Sequence, residues 1–356
     1  MNNTSNSLVS GIDPASFSAV TGPSQDLFRF VNGPWVDMYR LPDDRSRYGS
    51  FDKLAEDAEN QIRDILEEDD CPAVKSRALY HSFLDVDAID AAGLAAIEDQ
   101  LASIDEAEDK AALTRALGAM NPTGGPDLIG IAVYGDPGAP ETNVVHIEQD
   151  GLDLPDEAYY REDHYAPIRE AYVEMVAKQL KNAHLAADDE DAHAQAKRFL
   201  DVETRIAANH WDNVSTRDSV KTYNPTDYAD LCAMLADVDL DAWIDAWQNA
   251  YDATTAAAVQ PLDFRGCFSH TIVHEPSFLT GLNAFWKEAS LDDLKLWARV
   301  HVVDRLHIRS FPTNSTKRIS TSTARRCPGR RSSVCVGSVA SRWSTASAAR
   351  MSAANT

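Results

Sequence analysis

Long apolar runs and paired cysteines are both missing from this sequence. No stretch of its 356 residues approaches the roughly 18 apolar residues of a membrane-spanning helix, and the N-terminus lacks the basic and apolar regions of a signal peptide. The five cysteines show no C-x-x-C spacing, so the sequence indicates neither a disulfide framework nor a cysteine-type zinc site. We therefore expect a cytoplasmic protein without a membrane partner.

The sequence patterns of several enzyme classes are also missing. No G-x-x-x-x-G-K-S/T, G-x-G-x-x-G or G-x-S-x-G pattern occurs, which excludes the usual signatures of nucleotide binding and of serine hydrolases. The zinc-peptidase pattern H-E-x-x-H begins at His274 and Glu275, but Phe278 stands where the second histidine belongs. Pro276 is expected to break the helix that such a site requires. We therefore expect no catalytic residue from this pattern.

Two histidines, His270 and His274, are spaced by four residues, as two metal ligands on one helix face would be. The residues between them are Thr-Ile-Val, which favour a strand. On a strand the two imidazoles would lie about 13 Å apart, at roughly 3.3 Å per residue. The pattern predicts a strand here and no metal site.

Acidic residues outnumber basic ones by 56 to 33, which gives a net charge of -23. This balance argues against nucleic acid as a partner, since affinity for nucleic acid comes largely from neutralising phosphates. The charge is uneven, because ten basic residues and no acidic one follow Asp304. The chain therefore divides near His307 into an acidic part with regular periodicity and a Ser/Thr/Arg-rich tail without it.

Helical periodicity runs through the acidic part and predicts a mainly α fold, a multi-helix domain with one short β-hairpin. The predicted helices cover residues 88–101, 110–120, 167–183, 190–209, 239–251 and 291–306. Apolar and aromatic stripes on the last two of these helices predict core packing. Strands at 129–134 and 144–148 flank a Gly/Pro turn and predict the hairpin. Thr226 is predicted to be the N-cap of a further helix.

The most specific pattern lies near the N-terminus. Residues 26–35 read DLFRFVNGPW and residues 41–51 read LPDDRSRYGSF. Asn32-Gly33 favours a positive-φ turn, with Trp35 as a buried anchor beside it. The two segments resemble the opening of the neprilysin-like M13 zinc metallopeptidases, whose signatures are D-x-F-x-x-x-N-G-x-W and I-P-x-x-x-x-x-Y-G-x-F.

The resemblance continues in chain order as far as residue 306. Residues 79–85 read LYHSFLD, residues 151–160 contain GLDLP and YY, and residues 202–207 read VETRIA. They are similar to the family's Y-x-S-C-x-D, its G-L-x-L-P with a following Y-Y, and its E-x-x-I-A helix. The resemblance implies an oligopeptidase of the bacterial type, in which a helical cap encloses a thermolysin-like zinc domain and admits only short peptides.

The resemblance also implies a reaction and one site residue. In this family a zinc-bound water, with a glutamate as base, hydrolyses oligopeptides on the amino side of hydrophobic residues. Arg47 is similar in position to an arginine that binds the C-terminal carboxylate of the substrate, a task that suits a guanidinium fork. A surface salt bridge is the alternative role for Arg47.

The chain departs from the family because H-E-x-x-H, a downstream E-x-x-x-D and N-A-Y-Y are all missing. We therefore expect no catalytic residue, no metal ligand and no cofactor in this chain, although zinc is the cofactor of the intact family. Reading the codons of the tail two bases later permits N-F-x-F-Y, L-S-G and R-G-V segments similar to those of the family. This predicts a frameshift near His307; a functional basic arm is the alternative.

We predict that the chain is the N-terminal portion of an M13 metalloendopeptidase and is inactive alone, with an oligopeptide substrate only in an intact homologue. The alternative is a non-catalytic acidic helical binding module with a basic disordered tail. The predicted organisation is a disordered leader at 1–25, an M13 entry segment at 26–55, a helical M13 cap domain at 56–306 and a non-homologous, frameshifted tail at 307–356.

Overall fold

The computed structural model describes residues 12, 14–41, 48–68, 70, 72–254 and 262–310, without the side chains of 305–310. Arg47, residues 1–11 of the predicted leader and residues 311–356 of the predicted tail lie outside the described residues. Within the described part of the chain, no helix combines the length and the apolar character that spanning a bilayer requires.

The described residues form fourteen α-helices and one four-stranded sheet, which confirms the mainly α fold class. The helices are α1 (Leu27–Met38), α2 (Ser50–Glu67), α3 (Val74–Leu84), α4 (Val86–Ala92), α5 (Glu98–Asp105), α6 (Lys110–Met120), α7 (Ala158–Arg161), α8 (Ala166–Asn182), α9 (Asp189–Ala207), α10 (Tyr228–Met234), α11 (Leu240–Thr254), α12 (Phe264–Cys267), α13 (Pro276–Glu288) and α14 (Leu291–Ser310). The strands are β1 (Ile129–Asp136), β2 (Ala139–Gln149), β3 (Asn224–Asp227) and β4 (His270–Val273).

The sheet has the strand order β1-β2-β4-β3. Strands β1 and β2 form the predicted antiparallel hairpin, and the predicted strand at 270–273 is β4. Strand β4 runs parallel to β2, with His146 opposite Ile272. The backbone N–H of His274 then donates to the carbonyl of Ile147 at 2.8 Å, so the chain stays beside β2 after β4 ends.

The main core lies between the helices that follow residue 97 and one face of the sheet. Phe199, Trp286 and Trp297 are almost completely buried in it, so the stripe predicted on the last helix is core packing. Helices α6 and α9 begin at aspartate N-caps, because the side chains of Asp109 and Asp188 accept backbone hydrogen bonds within the first turn. These caps fix where each helix enters the core.

The N-terminal helices have a separate and much smaller core, in which Leu66 and Tyr80 are buried. Helix α1 contains Pro34, which lacks the N–H that would otherwise bond to the carbonyl of Phe30. That carbonyl instead accepts the backbone N–H of Ser18 at 2.7 Å. The segment before α1 therefore supplies the hydrogen bond that the proline removes.

Three predicted local features are wrong. Asn32-Gly33 lies inside α1 with no positive φ, and Trp35 is 44% exposed instead of buried. The helix predicted at 88–101 is divided into α4 and α5 at Gly93, whose φ of 53° no regular helix contains. Thr226 is not an N-cap, because it lies within β3 and Asp227 precedes α10.

Candidate functional site

Two of the motifs from the sequence meet at one place in the fold. The loop 151–155 runs from the end of β2 across the core, and α9 presents Glu203 beneath it. Gly151 has a φ of 93°, which favours glycine, and its carbonyl accepts the indole N–H of Trp297 from α14 at 3.1 Å. The loop is thereby held to α9 and α14.

Glu203 is completely buried and is the centre of a hydrogen-bond network. Its Oε1 accepts the backbone N–H of Asp153 at 2.9 Å. Its Oε2 accepts the hydroxyls of Tyr160 at 2.9 Å and of Tyr172 at 2.7 Å. Burial and the neighbouring carboxylates raise the pKa of each of these two tyrosines well above the ordinary value of a tyrosine. Both phenols are therefore neutral and donate hydrogen bonds. A buried carboxylate with this many donors is stable in its place.

His301 of α14 lies between two carboxylates. Its Nδ1 is 3.4 Å from Asp153 Oδ1 and its Nε2 is 3.2 Å from Glu203 Oε1. Burial alone would lower the pKa of this imidazole, but the two carboxylates outweigh burial and raise the pKa to about 9. The ring is therefore an imidazolium at neutral pH, and it joins the loop, α9 and α14 electrostatically.

Among the described residues, Asp153, Glu203 and His301 are the group of three that could offer ligands to a metal ion. Their arrangement does not fit a zinc ion, because each nitrogen of His301 faces a different carboxylate instead of both carboxylates converging on one nitrogen. Glu203 is also fully engaged with the two tyrosines and a backbone N–H. The imidazolium occupies the position of the cation, and the cluster is a structural joint.

A surface groove of about 520 Å³ lies at the C-terminal end of α9, where Ala207 lines it. His210 and Trp211 line it, and a neighbouring hollow of about 180 Å³ lies against the loop 151–155. Burial lowers the pKa of His210 to about 4, so its ring is neutral. Lys221 and Arg161, also in the groove, are paired with nearby acidic side chains. The groove therefore offers polar contacts but no unpaired basic charge for an ionic ligand.

A second polar cluster lies on the sheet. His146 Nδ1 of β2 is 2.9 Å from Nε2 of His274, and His274 Nδ1 is 3.8 Å from Glu148 Oε1. The structure pairs His274 with His146, and not with His270 as the spacing alone suggested. Nothing in the sequence could have found this pair, since 128 residues separate its members. Glu275, next to His274, accepts the backbone N–H of Gln149, and burial raises its pKa to about 7.

The entry segment contributes an aromatic stack at the surface. The rings of Trp35, Tyr39 and Tyr48 stack against one another, with centroid distances of 4.7 Å (Trp35–Tyr39), 4.6 Å (Tyr39–Tyr48) and 6.2 Å (Trp35–Tyr48). Tyr48 donates to Glu56 Oε2 at 2.6 Å, and this hydrogen bond, with other smaller effects, raises the pKa of the phenol to about 12. This stack fixes the position of the residue after Arg47, the one predicted substrate-binding residue.

Comparison with known proteins gives a consistent result. A family model described as "Peptidase family M13" matches residues 23–350. Human neprilysin is 25% identical over 298 residues, an alignment that covers 78% of this chain and 39% of that protein. The mouse membrane metallo-endopeptidase-like 1 is 26% identical over 212 residues, 54% of this chain and 28% of that protein.

Solved structures agree with the sequence matches. The zinc metalloprotease Zmp1 of Mycobacterium tuberculosis, in complex with an inhibitor, superposes with a TM-score of 0.75 and 29% identity, covering 94% of this chain and 49% of that one. PepO from Lactobacillus rhamnosis superposes with a TM-score of 0.71 at 17% identity, covering 92% and 50%, which is a likeness of fold. The chain thus spans half, or less, of the length of these relatives.

Proposed function

The chain belongs to peptidase family M13, and from this premise we propose that it is the cap portion of a zinc endopeptidase that hydrolyses oligopeptides. The observation that carries the proposal is the joint formed by Asp153, Glu203 and His301. It unites two segments that resemble motifs of the family with the last described helix. A buried charge network suits a wall that must keep its shape, because its oppositely charged members hold one another in a single arrangement.

We further propose that this chain has no hydrolytic activity alone. H-E-x-x-H is absent from all 356 residues, and the buried cluster of the described residues does not have the geometry of a zinc site. The chemistry that zinc supplies in a peptidase is the activation of a water molecule. The residues of this chain would enclose the substrate and orient it, with Arg47 pairing with its C-terminal carboxylate.

The exposed apolar side chains of the N-terminal helices support a cap that packs against a further domain. Phe28, Phe51 and Met38 are 63%, 85% and 77% exposed. Large apolar side chains exposed on α1 and α2 suit a surface that another domain covers. We propose that a frameshift near His307 accounts for the change from acidic to basic sequence, so that the zinc domain is encoded in the shifted frame.

The first test is to resequence the coding DNA across codons 306–311 and to translate the downstream frame. The proposal expects a miscounted or shifted base, followed by a reading frame with H-E-x-x-H. An intact frame without this motif downstream would contradict the frameshift and would favour a real basic arm.

The second test measures cleavage of a quenched fluorescent oligopeptide by this chain and by the frame-restored chain. We expect no cleavage by this chain, with or without added Zn²⁺, and chelator-sensitive cleavage by the restored one. Arg47→Ala in the restored chain should raise KM roughly tenfold or more through the lost charged hydrogen bonds. Arg40→Ala, a change at a nearby exposed arginine, is the control. A restored chain that binds peptides without cleaving them would favour the binding module.

A further inference from the structure

The histidine pair on the sheet has the geometry of a metal chelate. His146 lies on β2 and His274 follows β4, and the two strands are hydrogen-bonded in parallel. Their ring nitrogens Nδ1 and Nε2 approach to 2.9 Å, although the residues are distant in the chain. Two imidazoles held beside each other by hydrogen-bonded backbone lose little freedom when an ion joins them, and this favours binding.

The distance between the nitrogens fits a bridging ion after a small rotation of the rings. With zinc–nitrogen bonds of about 2.0 to 2.1 Å in a tetrahedron, the two ligand nitrogens are about 3.3 Å apart. The observed separation is 2.9 Å, so each side chain has to move by about a fifth of an ångström. The side chain of His274 is 22% exposed, which leaves room for water to complete the coordination.

A carboxylate on the far side of His274 strengthens the case. Glu148 Oε1 lies 3.8 Å from His274 Nδ1 and favours the tautomer with its proton on that nitrogen. The lone pair of Nε2 is then directed towards His146, as in the carboxylate–histidine–metal arrangement of known metal sites. Glu275, next to His274, is engaged elsewhere, because it accepts the backbone N–H of Gln149.

The tautomer of His146 decides whether the pair forms a hydrogen bond or offers two lone pairs to an ion. His146 is 5% exposed and its Nε2 has no hydrogen-bond partner among the described residues. If Nε2 carries the proton, the lone pairs of Nδ1 and of His274 Nε2 face each other and repel. A cation between them removes this repulsion, so this tautomer becomes the favoured one in the bound state.

We propose that His146 and His274 form a binding site for a divalent transition-metal ion that prefers imidazole, such as Zn²⁺ or Cu²⁺, with Glu148 orienting one ligand. The site is separate from any catalytic zinc of the family, because it lies within the cap. Hard ions such as Mg²⁺ are not expected to bind, since they prefer oxygen ligands and keep their own water. The bound ion would stabilise the junction between β2 and β4.

The experiment is isothermal titration of the full 356-residue chain with Zn²⁺ after treatment with a chelator, in a reducing buffer, alongside Mg²⁺. We expect about one Zn²⁺ per chain at micromolar affinity and no heat of binding from Mg²⁺. His274→Ala should weaken binding at least tenfold, because it removes one of two ligands. Glu148→Gln should weaken it by a smaller factor, as loss of an orienting carboxylate does.

His193→Ala is the matched control, since this exposed histidine on α9 also lies beside a carboxylate, that of Glu174. It should leave the affinity unchanged. Because His274 is partly exposed, its variant should keep the far-ultraviolet dichroism of the parent; if it does not, His274→Gln serves instead. Equal Zn²⁺ affinity in the parent and the folded His274 variant, or no Zn²⁺ binding by the parent, would overturn the proposal. Binding lost in His301→Gln but kept in His274→Ala would assign the ion to the buried joint and equally overturn it.

Discussion

At the scale of single residues, the most informative group is the His301 imidazole. Burial favours its neutral form, whereas the neighbouring carboxylates favour its charged form. His301 is 6% exposed, yet both of its nitrogens face carboxylates, at 3.4 and 3.2 Å. An imidazole in an apolar core loses its proton, whereas one between Asp153 and Glu203 keeps it. Removing the imidazolium would therefore leave two carboxylates inside the protein without a cation, which is far more costly than losing a surface pair.

This charge state predicts how stability depends on pH. The pKa of His301 is about 9 in the folded chain and about 6.5 in the unfolded chain. Its stabilisation is therefore fully present below pH 6.5 and is lost as the pH rises from 6.5 to about 9. A shift of this size corresponds to about 3 kcal/mol. Urea unfolding at pH 6.5 and at pH 9 measures the loss.

His301→Gln provides the comparison for this prediction. The variant should be less stable than the parent at pH 6.5 and should lose much less stability between pH 6.5 and 9. If it does not unfold cooperatively, Asp153→Asn is the substitute, because one carboxylate fewer lowers the His301 pKa and narrows the window. Parallel losses in the parent and in a folded variant would show that other groups cause the pH dependence.

The segments that form this joint could be predicted from the sequence, but the pairing of His301 with two carboxylates could not. The loop 151–155 and the helix carrying Glu203 both resemble family motifs, and the apolar stripe of the helix predicted at 291–306 predicts that the helix carrying His301 packs in the core. Periodicity identifies buried positions, and a histidine on a buried face reads as core packing. Only the three-dimensional packing shows that a carboxylate lies beside each nitrogen, since 148 residues separate Asp153 from His301.

At the scale of elements, the close contact of α6 with α11 depends on one residue without a side chain. A Cβ on Gly118 would lie 2.3 Å from the backbone carbonyl oxygen of Trp243. The backbone cannot rotate away as a side chain would, so α11 would have to move. The contact is reinforced nearby, where Thr114 Oγ1 donates to the carbonyl of Val238 at 2.7 Å.

We therefore expect Gly118→Ala to destabilise the chain by about 2 to 3 kcal/mol, although alanine is the better helix former. Gly33→Ala in α1 is the matched control, because its Cβ would meet nothing closer than a side-chain carbon of Arg29 at 3.6 Å. That change should cause no loss. Denaturant unfolding, with an m-value that neither substitution changes, measures the free energy of unfolding of both variants. An equal loss of stability in the two variants would contradict the steric argument.

The elements also show where local sequence rules are overridden. Helices α6, α8 and α9 begin and end within two residues of their predicted bounds, because apolar periodicity and caps agree there. Pro34 lies inside α1, against local preference, because Ser18 supplies the missing hydrogen bond from outside the helix. Pro276, by contrast, follows the local rule: it begins α13, where the first turn needs no N–H from it, so no helix spans 274–278 as H-E-x-x-H would require.

At the scale of the whole molecule, apolar side chains are distributed between two unequal cores. The large core contains most of the buried residues after 97, whereas the N-terminal helices bury Leu66 and Tyr80 with Ile62 and Phe83 around them. Many other apolar residues of these helices are exposed, such as Phe51 at 85%. Local stability follows buried apolar area, so the two parts should differ in stability.

Hydrogen exchange of the backbone amides provides the last prediction. We expect amides in α2 and α3 to exchange at least roughly 100-fold faster than those in α8 and α9 at neutral pH, a difference of about 2.7 kcal/mol in opening free energy. Helices α2 and α9 are of similar length, at 18 and 19 residues, so fraying at the ends does not explain such a difference. In the frame-restored chain the exposed apolar side chains would be covered, and protection of α2 should rise towards that of α9. Equal protection of α2 and α9 in the present chain would mean that the small core is sufficient and that the exposed apolar surface needs no further domain.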